Sequence, residues 1–355
     1  MIEKKKENQD IKNIQIEENR FDIPVCLFTF RRLDTVLRII DVLRKVKPTK
    51  VYLFSDYGRD EEEKKQIDNI RPEILKAFDW DCEVIKMFAD ENIGVFNSIA
   101  MGALKVFKKE KTAIFLEDDN LPALSFFAYC KELLTKYEND PKVVWICGTN
   151  YLSKYSNKNN DSYMFSKEIF PCGWASWANK FSKYYDTTLE FVDEKGAKHK
   201  YKKLYKNKSL AARRWYSIYD ERNRFLKKGK FNSWDSHMAA TIRNNDLYGI
   251  SPAVNLIQNI GNDNNATHFS TTKIYKIMND RLCKMPKYEL DFPLTHPSMI
   301  EVDKDYEKKT DKVFIFPFGY RCKTWIVSIV KTILRIPRDK SIRTFLKRKS
   351  KSDSI

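Results

Sequence analysis

Short apolar runs alternate with amphipathic stretches along the first part of the chain. The apolar runs are residues 23–30 (IPVCLFTF), 51–55 (VYLFS), 82–88 (CEVIKMF) and 113–116 (AIFL). Their lengths and their content of aromatic and β-branched residues are typical of buried strands. Because helical stretches separate these strands, the pattern predicts an α/β fold with a doubly wound sheet.

The stretches between the apolar runs place apolar residues at helical spacing. In residues 34–46, Val36, Ile39 and Leu43 fall on one face, and Asp34 is placed to cap the helix. Further helices are predicted at residues 61–75, from the turn Asn92-Ile93-Gly94 through Phe107, and at residues 126–137. Residues 143–147 (VVWIC) then form another buried strand.

Beyond residue 150 the composition changes. A polar loop and an aromatic segment (FPCGWASWANKF) precede a strongly basic region, which includes a predicted helix, RRWYSIYDERNRF. We therefore divide the chain into four parts. They are a mobile charged tail at 1–20, an α/β half at 21–150, a second half at 151–275 and a C-terminal extension at 276–355.

The apolar run at residues 113–116 ends in three consecutive carboxylates, Glu117, Asp118 and Asp119. In open α/β sheets, ligands bind beyond the carboxyl ends of the strands. Adjacent carboxylates repel one another unless a cation lies among them, and oxygen ligands favour Mg²⁺ or Mn²⁺. The triplet therefore indicates a divalent metal site that binds a diphosphate. A solvated acidic turn is the alternative interpretation.

Two other predicted strands end in polar residues that would face the same crevice. The first is followed by Arg31 and Arg32, which can hold phosphates, and the second by Asp56, which can accept an N–H of a base. Asn92, after the third strand, is also expected to bind the ligand. No G-x-G-x-x-G follows the first strand and no Walker loop occurs, which argues against a dinucleotide enzyme.

Charge restricts the choice of partner. The 355 residues include 65 Lys and Arg against 48 Asp and Glu, a net charge of +17. This charge favours an anionic partner such as phospholipid, phosphorylated glycan, nucleotide or nucleic acid, among which charge alone does not choose. The seven cysteines have no zinc spacing and are expected to be reduced residues of a cytosolic enzyme. Residues 1–20 lack the apolar core of a signal peptide.

The C-terminal region contains a basic amphipathic pattern. Residues 318–336 (FGYRCKTWIVSIVKTILRI) place Trp325, Ile329 and Ile333 four apart, among basic residues, and the cluster RTFLKRKSK follows. Such a helix predicts peripheral contact of residues 318–355 with an anionic membrane. The alternative is that its apolar face packs against the rest of the protein.

Several motifs, taken in order, resemble those of GT-A glycosyltransferases, especially N-acetylglucosaminyltransferase I and its bacterial relatives. They are IPVCLFTFRR, FSDYG, FLEDD, FFAYCKELLTKYENDPKVVWICGTN, IFPCGWASW, WDSHM and ATHF, within residues 21–270. The resemblance implies a Rossmann-like GT-A fold, in which the half at 21–150 binds the nucleotide-sugar and the half at 151–275 faces the acceptor.

The resemblance also implies roles for individual residues. Glu117 would contact the donor sugar, Asp118 the ribose and Asp119 the metal. Asp56 would recognise uracil. Arg32, and less directly Arg31, would approach the diphosphate.

The family's catalytic base lies in a W-D-D-W segment, whereas this chain has W-D-S-H. Asp235 is therefore the predicted general base, and the apolar Trp234 suits that role because an apolar neighbour raises the pKa of a carboxylate. The alternative is that Asp235 caps the following helix. Trp174, Trp177 and Trp234 are candidates for stacking on sugar rings, with core packing as the alternative.

A late loop of the family closes over the donor, and the resemblance matches its histidine to His268. The loop at residues 261–268 is rich in glycine, asparagine and aspartate, so it is expected to be mobile without donor and closed with donor. The alternative is that His268 is a surface residue without a role.

These features predict a metal-dependent glycosyltransferase that moves a sugar from a nucleotide-sugar, with UDP expected, to a glycan or lipid-linked acceptor. The resemblance implies that the transfer inverts the anomeric centre. The expected setting is bacterial surface polysaccharide or lipopolysaccharide synthesis, in the cytoplasm at the inner face of the membrane, without a nucleic acid partner.

Two other classes of protein stay open. A sugar-phosphate nucleotidyltransferase should carry a Gly-rich loop after the first strand, where this chain has FTFRRLDT. A non-catalytic basic protein that binds membrane or nucleic acid would leave the converging acids unexplained.

Overall fold

A mixed α/β fold surrounds one large sheet in the computed structural model, which describes residues 21–261, 277, 280–334 and 336. The strands are β1 Val25–Thr29, β2 Lys50–Ser55, β3 Glu83–Phe88, β4 Thr112–Glu117, β5 Asn120–Pro122, β6 Val143–Cys147, β7 Tyr163–Ser166, β8 Trp174–Trp177, β9 Tyr248–Pro252 and β10 Ile257–Asn259.

Helices connect and cover these strands. They are α1 Leu33–Val46, α2 Glu61–Lys76, α3 Gly94–Val106, α4 Ser125–Lys136, α5 Ala178–Tyr184, α6 Ala197–Lys203, α7 Lys208–Lys228, α8 Asp235–Asn244, α9 Lys304–Phe314 and α10 Phe318–Ile333. Helix α3 contains a π-helical turn at Asn97–Met101.

Eight strands form the main sheet in the order β3-β2-β1-β4-β8-β6-β9-β7. Strands β3, β2, β1 and β4 are parallel, whereas β8 runs antiparallel to its neighbours β4 and β6. Strands β5 and β10 form a separate antiparallel pair. The sheet is therefore mixed and doubly wound, which confirms the predicted fold class.

The sheet separates two hydrophobic cores, because successive residues of a strand point to opposite faces. In β1, Val25 and Leu27 pack into the core that contains α1 and α4, while Cys26 and Phe28 pack into the core that contains α3 and α8. Both faces of β1 are thus buried, which explains why its sequence is a continuous apolar run.

Chain order and sheet order diverge between β1 and β4. From β1 the chain moves outward through β2 to β3, and then returns to β4 on the other side of β1. The carboxyl ends of β1 and β4 therefore open into one crevice, the position at which open α/β sheets bind ligands.

The first half of the fold follows the sequence prediction closely. All five predicted strands up to residue 147 are present, and so are the helices between them. One capping prediction is wrong, because α1 begins at Leu33, Arg32 occupies the N-cap position, and no side chain makes a capping hydrogen bond. Asp34 instead lies in the first turn, where its charge favours the positive end of the helix dipole.

The C-terminal extension packs on the rest of the protein as far as α9. Tyr306 is fully buried, and its hydroxyl group donates to Oδ1 of Asn150 over 3.2 Å. Glu307 of α9 joins a buried ion network, since its Oε1 lies 3.5 Å from Nη2 of Arg243, and Glu168 pairs with Arg243 and Arg214 at 2.6 Å each. Removing one partner of such a network costs about 3–5 kcal/mol. The segment that contains α9 is therefore part of the folded unit.

In the part of the chain that the structure describes, membrane crossing by any one helix is ruled out by length and composition. Helices α9 and α10 satisfy those criteria only as a pair, and they are bent by 62° relative to each other. The predicted mobile tail at 1–20 lies outside the described residues.

Candidate functional site

The acids after β4 and an arginine after β1 meet at the crevice between these strands. Nη1 of Arg32 lies 3.4 Å from Oδ1 of Asp118 and 3.3 Å from Oδ2 of Asp119. The three side chains are 13%, 17% and 23% exposed, respectively, so a ligand can reach a cluster that is partly shielded from water. The structure thus brings Arg32, Asp118 and Asp119 together, as their positions after the strands predict.

The turn that carries Asp119 is held from two sides. Nδ2 of Asn120 donates to Oδ1 of Asp119 over 2.5 Å, and Oδ1 of Asn120 accepts from the backbone N–H of Gly173 over 2.8 Å. The backbone N–H of Ile260 donates to the carbonyl oxygen of Asp119 over 2.9 Å. These contacts fix the direction of the Asp119 carboxylate relative to β8 and β10.

Gly261 lies directly against the acid cluster. A Cβ atom at this position would be 2.2 Å from Nη1 of Arg32 and 2.5 Å from Cβ of Asp119. Only a residue without a side chain allows this approach of the backbone. The backbone of Gly261, two residues after β10, therefore lies directly at the candidate site.

Glu117, the last residue of β4, shares the electrostatic environment of the cluster. Burial, followed by the charges of Asp119 and Asp118, raises the pKa of Glu117 well above its ordinary value, and Arg32 acts in the opposite direction. The carboxyl group of Glu117 can thus keep its proton at pH values at which an ordinary glutamate is ionised. In that protonated form it can donate a hydrogen bond.

Asp235, in the second half of the protein, lies within the electrostatic range of Glu117. Its charge contributes to the raised pKa of Glu117. Helix α8 begins at Asp235 itself and Trp234 occupies the N-cap position, while the N–H of Ser236 in the first turn donates to Oγ of Ser233 over 3.2 Å and not to Asp235. The alternative role of Asp235 as the cap of α8 is therefore wrong.

A chain of serine hydroxyl groups leads to Asp235. Oγ of Ser233 donates to Oδ1 of Asp235 over 2.5 Å and lies 2.7 Å from Oγ of Ser236, which in turn lies 2.8 Å from Oγ of Ser217. Because Ser233 gives its single proton to the carboxylate, Ser236 must donate to Ser233, and Ser217 to Ser236. The chain has one direction and ends on Asp235.

Three further side chains lie within the electrostatic range of Asp235. Burial and, secondarily, neighbouring charges that include Asp235 raise the pKa values of Tyr151 and Tyr185 well above the ordinary value. Burial and the charge of Arg214 lower the pKa of Arg213 to about 10, against the opposing effect of Glu168 and Asp235. Two tyrosine side chains and one arginine side chain therefore lie within the electrostatic range of Asp235.

Asp56 is placed differently from the acids after β4. Its Oδ1 accepts from the backbone N–H groups of Tyr57 and Ile93, over 2.8 and 2.9 Å. Its Oδ2 accepts from the N–H of Gly94 and from Nδ2 of Asn92, over 3.0 and 3.2 Å. Asp56 and Asn92 thus lie together at the start of α3, and reading of a base by Asp56 stays a prediction.

Arg31 points away from the acid cluster. Its Nη1 lies 2.9 Å from Oε1 of Glu63 in α2, and its guanidinium group stacks over Phe30 at 5.2 Å. Of the two arginines after β1, only Arg32 contacts Asp118 and Asp119 in the described structure. Glu63 holds the side chain of Arg31, and the approach of Arg31 to a diphosphate stays a prediction.

The three candidate stacking tryptophans lie in the core. Trp174 is sandwiched between Phe115, at a ring distance of 3.9 Å, and Trp145, at 4.1 Å. Nε1 of Trp177 donates to the carbonyl oxygen of Leu134, and Trp177 and Trp234 are at most 3% exposed. Contrary to the stacking prediction, these rings offer no open face to a sugar.

The metal prediction depends on the oxygen donors of the acid cluster. Among the described residues, no group of three or more His, Cys, Asp or Glu side chains is arranged to hold a metal by itself. Asp118 and Asp119 do offer two partly exposed carboxylates. Mg²⁺ is commonly bound by one or two carboxylates together with substrate phosphates. The site therefore fits Mg²⁺ or Mn²⁺ when a diphosphate supplies further oxygens. His268 lies outside the described residues.

Sequence reasoning missed several residues of this site. The sequence predicts only a flexible loop at Gly261, because its close approach to Arg32 depends on tertiary packing. Asn120 and Ser233 are ordinary turn residues by type. Their positions, directly after and two residues before the singled-out aspartates, are the one local signal that could have found them.

Comparisons with known proteins identify no family. No family model and no curated protein matches the chain. Among solved structures, the chain is similar to HddC from Yersinia pseudotuberculosis, with 12% identity and a TM-score of 0.31, over 46% of this chain and 80% of that one. A UDP-glucose pyrophosphorylase complexed with UDP-glucose gives 9% identity and a TM-score of 0.35, over 66% and 92%.

A third solved structure is glucosyl-3-phosphoglycerate synthase from Mycobacterium tuberculosis in complex with Mn²⁺, UDP and glucosyl-3-phosphoglycerate. It gives 7% identity and a TM-score of 0.27, over 46% of this chain and 59% of that one. At these scores none of the three likenesses supports a conclusion about activity, so the function rests on the side chains of the site.

Proposed function

We propose that the protein is a metal-dependent glycosyltransferase that moves a sugar from a nucleotide-sugar, with UDP expected, to an acceptor hydroxyl group. One observation carries this proposal: Arg32 meets Asp118 and Asp119 between the carboxyl ends of β1 and β4. Glu117 and Asp235 share the electrostatic environment of this cluster.

The donor would lie at the ends of β1 and β4 with its diphosphate at the cluster. Arg32 suits the diphosphate because a guanidinium group pairs with phosphate oxygens in a planar, two-pronged geometry. Asp119, with Asp118 beside it, would hold Mg²⁺ or Mn²⁺, and the bound cation would supply Lewis-acid stabilisation of the leaving diphosphate. Glu117 would hydrogen-bond a hydroxyl group of the sugar.

Asp235 would act as the general base. It would accept the proton of the acceptor hydroxyl group while the hydroxyl oxygen bonds to the anomeric carbon and the bond from that carbon to the diphosphate oxygen breaks. The nucleoside diphosphate leaves with the electron pair of the broken bond. Direct displacement of this kind inverts the anomeric centre and forms no covalent enzyme intermediate.

The acceptor would approach from the side of Asp235. Arg213 lies within the electrostatic range of Asp235 and is half-buried, so an anionic glycan or lipid-linked acceptor suits this side. A lipid-linked acceptor would place the reaction at the inner face of a membrane, as in surface polysaccharide or lipopolysaccharide synthesis in bacteria.

The connection after β1 favours a glycosyltransferase over a sugar-phosphate nucleotidyltransferase. Only Phe30, Arg31 and Arg32 separate β1 from α1, and none of them is glycine. A Gly-rich loop that cradles phosphates with its backbone N–H groups therefore has no room there. In this chain the side chain of Arg32 would contact the phosphate instead.

A donor screen tests the proposal. The protein is incubated with UDP-, GDP-, dTDP- and CMP-linked sugars and a mixture of short glycans, with Mn²⁺ or with a chelator, and nucleotide release is measured. We expect release of UDP from one UDP-sugar, in Mn²⁺ only. Release of no nucleotide from any donor, together with no change of melting temperature on adding any donor, would contradict the proposal.

A further inference from the structure

Helix α10 differs from the preceding helix, α9, in how far its side chains are buried. In α9, Tyr306, Thr310 and Phe314 are buried. In α10 no residue is buried. Five of its large apolar side chains are between 38% and 73% exposed, namely Phe318, Trp325, Ile326, Ile329 and Ile333. Packing against the rest of the protein, the alternative for residues 318–336, therefore buries no residue of α10 itself.

The five most apolar of the exposed residues of α10 share one face, whereas Tyr320, which is 36% exposed, falls outside it. At about 100° per residue, the five side chains fall within an arc of about 100° around the helix axis. On the same projection, Arg321 lies just beyond one border of this arc and Lys323 beyond the other. The helix contains neither Asp nor Glu. An apolar stripe between basic borders is typical of a helix that lies in the surface of a bilayer.

Charge decides which partner covers this face. Residues 335–355 contain eight Lys and Arg but two Asp, and the whole chain has a net charge of +17. A second copy of the chain would bring like charges together, whereas an anionic bilayer offers both hydrocarbon for the apolar stripe and negative headgroups for its borders. Trp325, which is 67% exposed, is a residue type enriched at the membrane surface.

Helix α10 is also tied to the folded unit. Nη1 of Arg321 donates to Oγ of Ser209 in α7 over 2.8 Å. Just before α10, Arg213 of α7 donates to the carbonyl oxygen of Phe314 and stacks over the ring of Phe316 at 4.6 Å. A surface that binds α10 would therefore keep α7 close to that same surface.

We infer that α10 is a docking surface for an anionic phospholipid bilayer, on which it lies with Phe318, Trp325, Ile326, Ile329 and Ile333 in the interface. The inference does not depend on the proposed glycosyl transfer. It gives the protein a peripheral position on a membrane, with α7 and the neighbourhood of Arg213 facing the same side as the lipid.

Vesicle sedimentation tests the inference with the full-length protein. Vesicles of phosphatidylcholine with phosphatidylglycerol are compared with vesicles of phosphatidylcholine alone. Trp325→Ser combined with Ile329→Ser should weaken binding to the anionic vesicles about tenfold or more, since each removes apolar surface from the interface. Lys323→Gln, at a border of the apolar stripe, should reduce the preference for anionic vesicles about fivefold.

Met299→Ser serves as the matched control, because Met299 is 63% exposed but lies outside α10, and it should leave binding unchanged. Melting temperatures establish that the variants fold. Two results would overturn the inference. One is equal binding of wild type and the Trp325/Ile329 variant. The other is a wild-type dimer, seen by light scattering, that becomes monomeric in this variant while neither binds vesicles.

Discussion

Two aspartates at strand ends of the same sheet differ in how the protein uses them. Asp56, after β2, is buried and accepts four hydrogen bonds from the protein itself. Asp119, after β4, has a side chain that is 23% exposed and contacts Arg32 and Asn120. A carboxylate whose acceptor positions are filled by backbone donors holds a fold together, whereas one paired with a single arginine at an open crevice can exchange that partner for a ligand.

Asp119→Ala gives the largest expected effect on function. It removes the carboxylate proposed to hold the metal, so donor affinity in Mn²⁺ should fall at least ~100-fold, while the free energy of unfolding changes little. Titration calorimetry with UDP and Mn²⁺ measures the affinity. Asp22→Ala is the control, because that carboxylate pairs with Lys131 on the surface. Unchanged affinity in Asp119→Ala would remove Asp119 from the donor site.

Asp235→Asn should lower kcat about 100-fold with little change in donor affinity, as expected when a general base is lost. Steady-state kinetics with the donor found in the screen measures both quantities. Asp220→Asn, at an exposed carboxylate of α7, should be indistinguishable from wild type. Near-normal kcat in Asp235→Asn would place the base elsewhere.

Asp56→Ala tests the other side of the comparison. It leaves the N–H groups of Tyr57, Ile93 and Gly94 without their acceptor, so the free energy of unfolding should fall by about 2 kcal/mol. Denaturant unfolding measures this loss. If Asp56 also reads the base, as the resemblance implies, the variant should lose its preference for UDP over other nucleotides. Wild-type stability in Asp56→Ala would contradict the structural role.

Ser233→Ala gives the smallest expected effect. The hydrogen bond from Oγ of Ser233 orients the carboxylate of Asp235, and its loss should lower kcat about fivefold, near 1 kcal/mol, with KM unchanged. Ser233→Thr keeps the hydroxyl group and should restore kcat. Equal kcat in the Ala and Thr variants would mean that Ser233 does not position Asp235.

The sequence predicts the parallel part of the fold well because each of these strands is a short apolar run bounded by polar residues. The sequence does not predict strand β8, because its four residues, WASW, place two small residues between two tryptophans, and the strand is defined by its place between β4 and β6. The short strand β10 pairs only with β5, a partner far away in the chain. Such strands depend on tertiary contacts that no local pattern contains.

The residues of the site likewise include some that a local sequence pattern predicts and others whose positions depend on tertiary contacts. Glu117, Asp118 and Asp119 form a local signal, and the strand before them predicts where they lie. Residue type alone did not separate Arg32 from Arg31, because a glutamate of α2, Glu63, decides where Arg31 points. The burial of Trp174 is likewise set by rings contributed by other strands.

The products of the reaction test the central claim most directly. Phosphorus NMR of the protein with its preferred UDP-sugar, Mn²⁺ and acceptor distinguishes the nucleoside diphosphate from pyrophosphate and nucleoside monophosphate. The account predicts one UDP per sugar transferred, no pyrophosphate, and no product from Asp119→Ala. Formation of pyrophosphate, or UDP production that continues in Asp119→Ala, would contradict transfer at the crevice between β1 and β4.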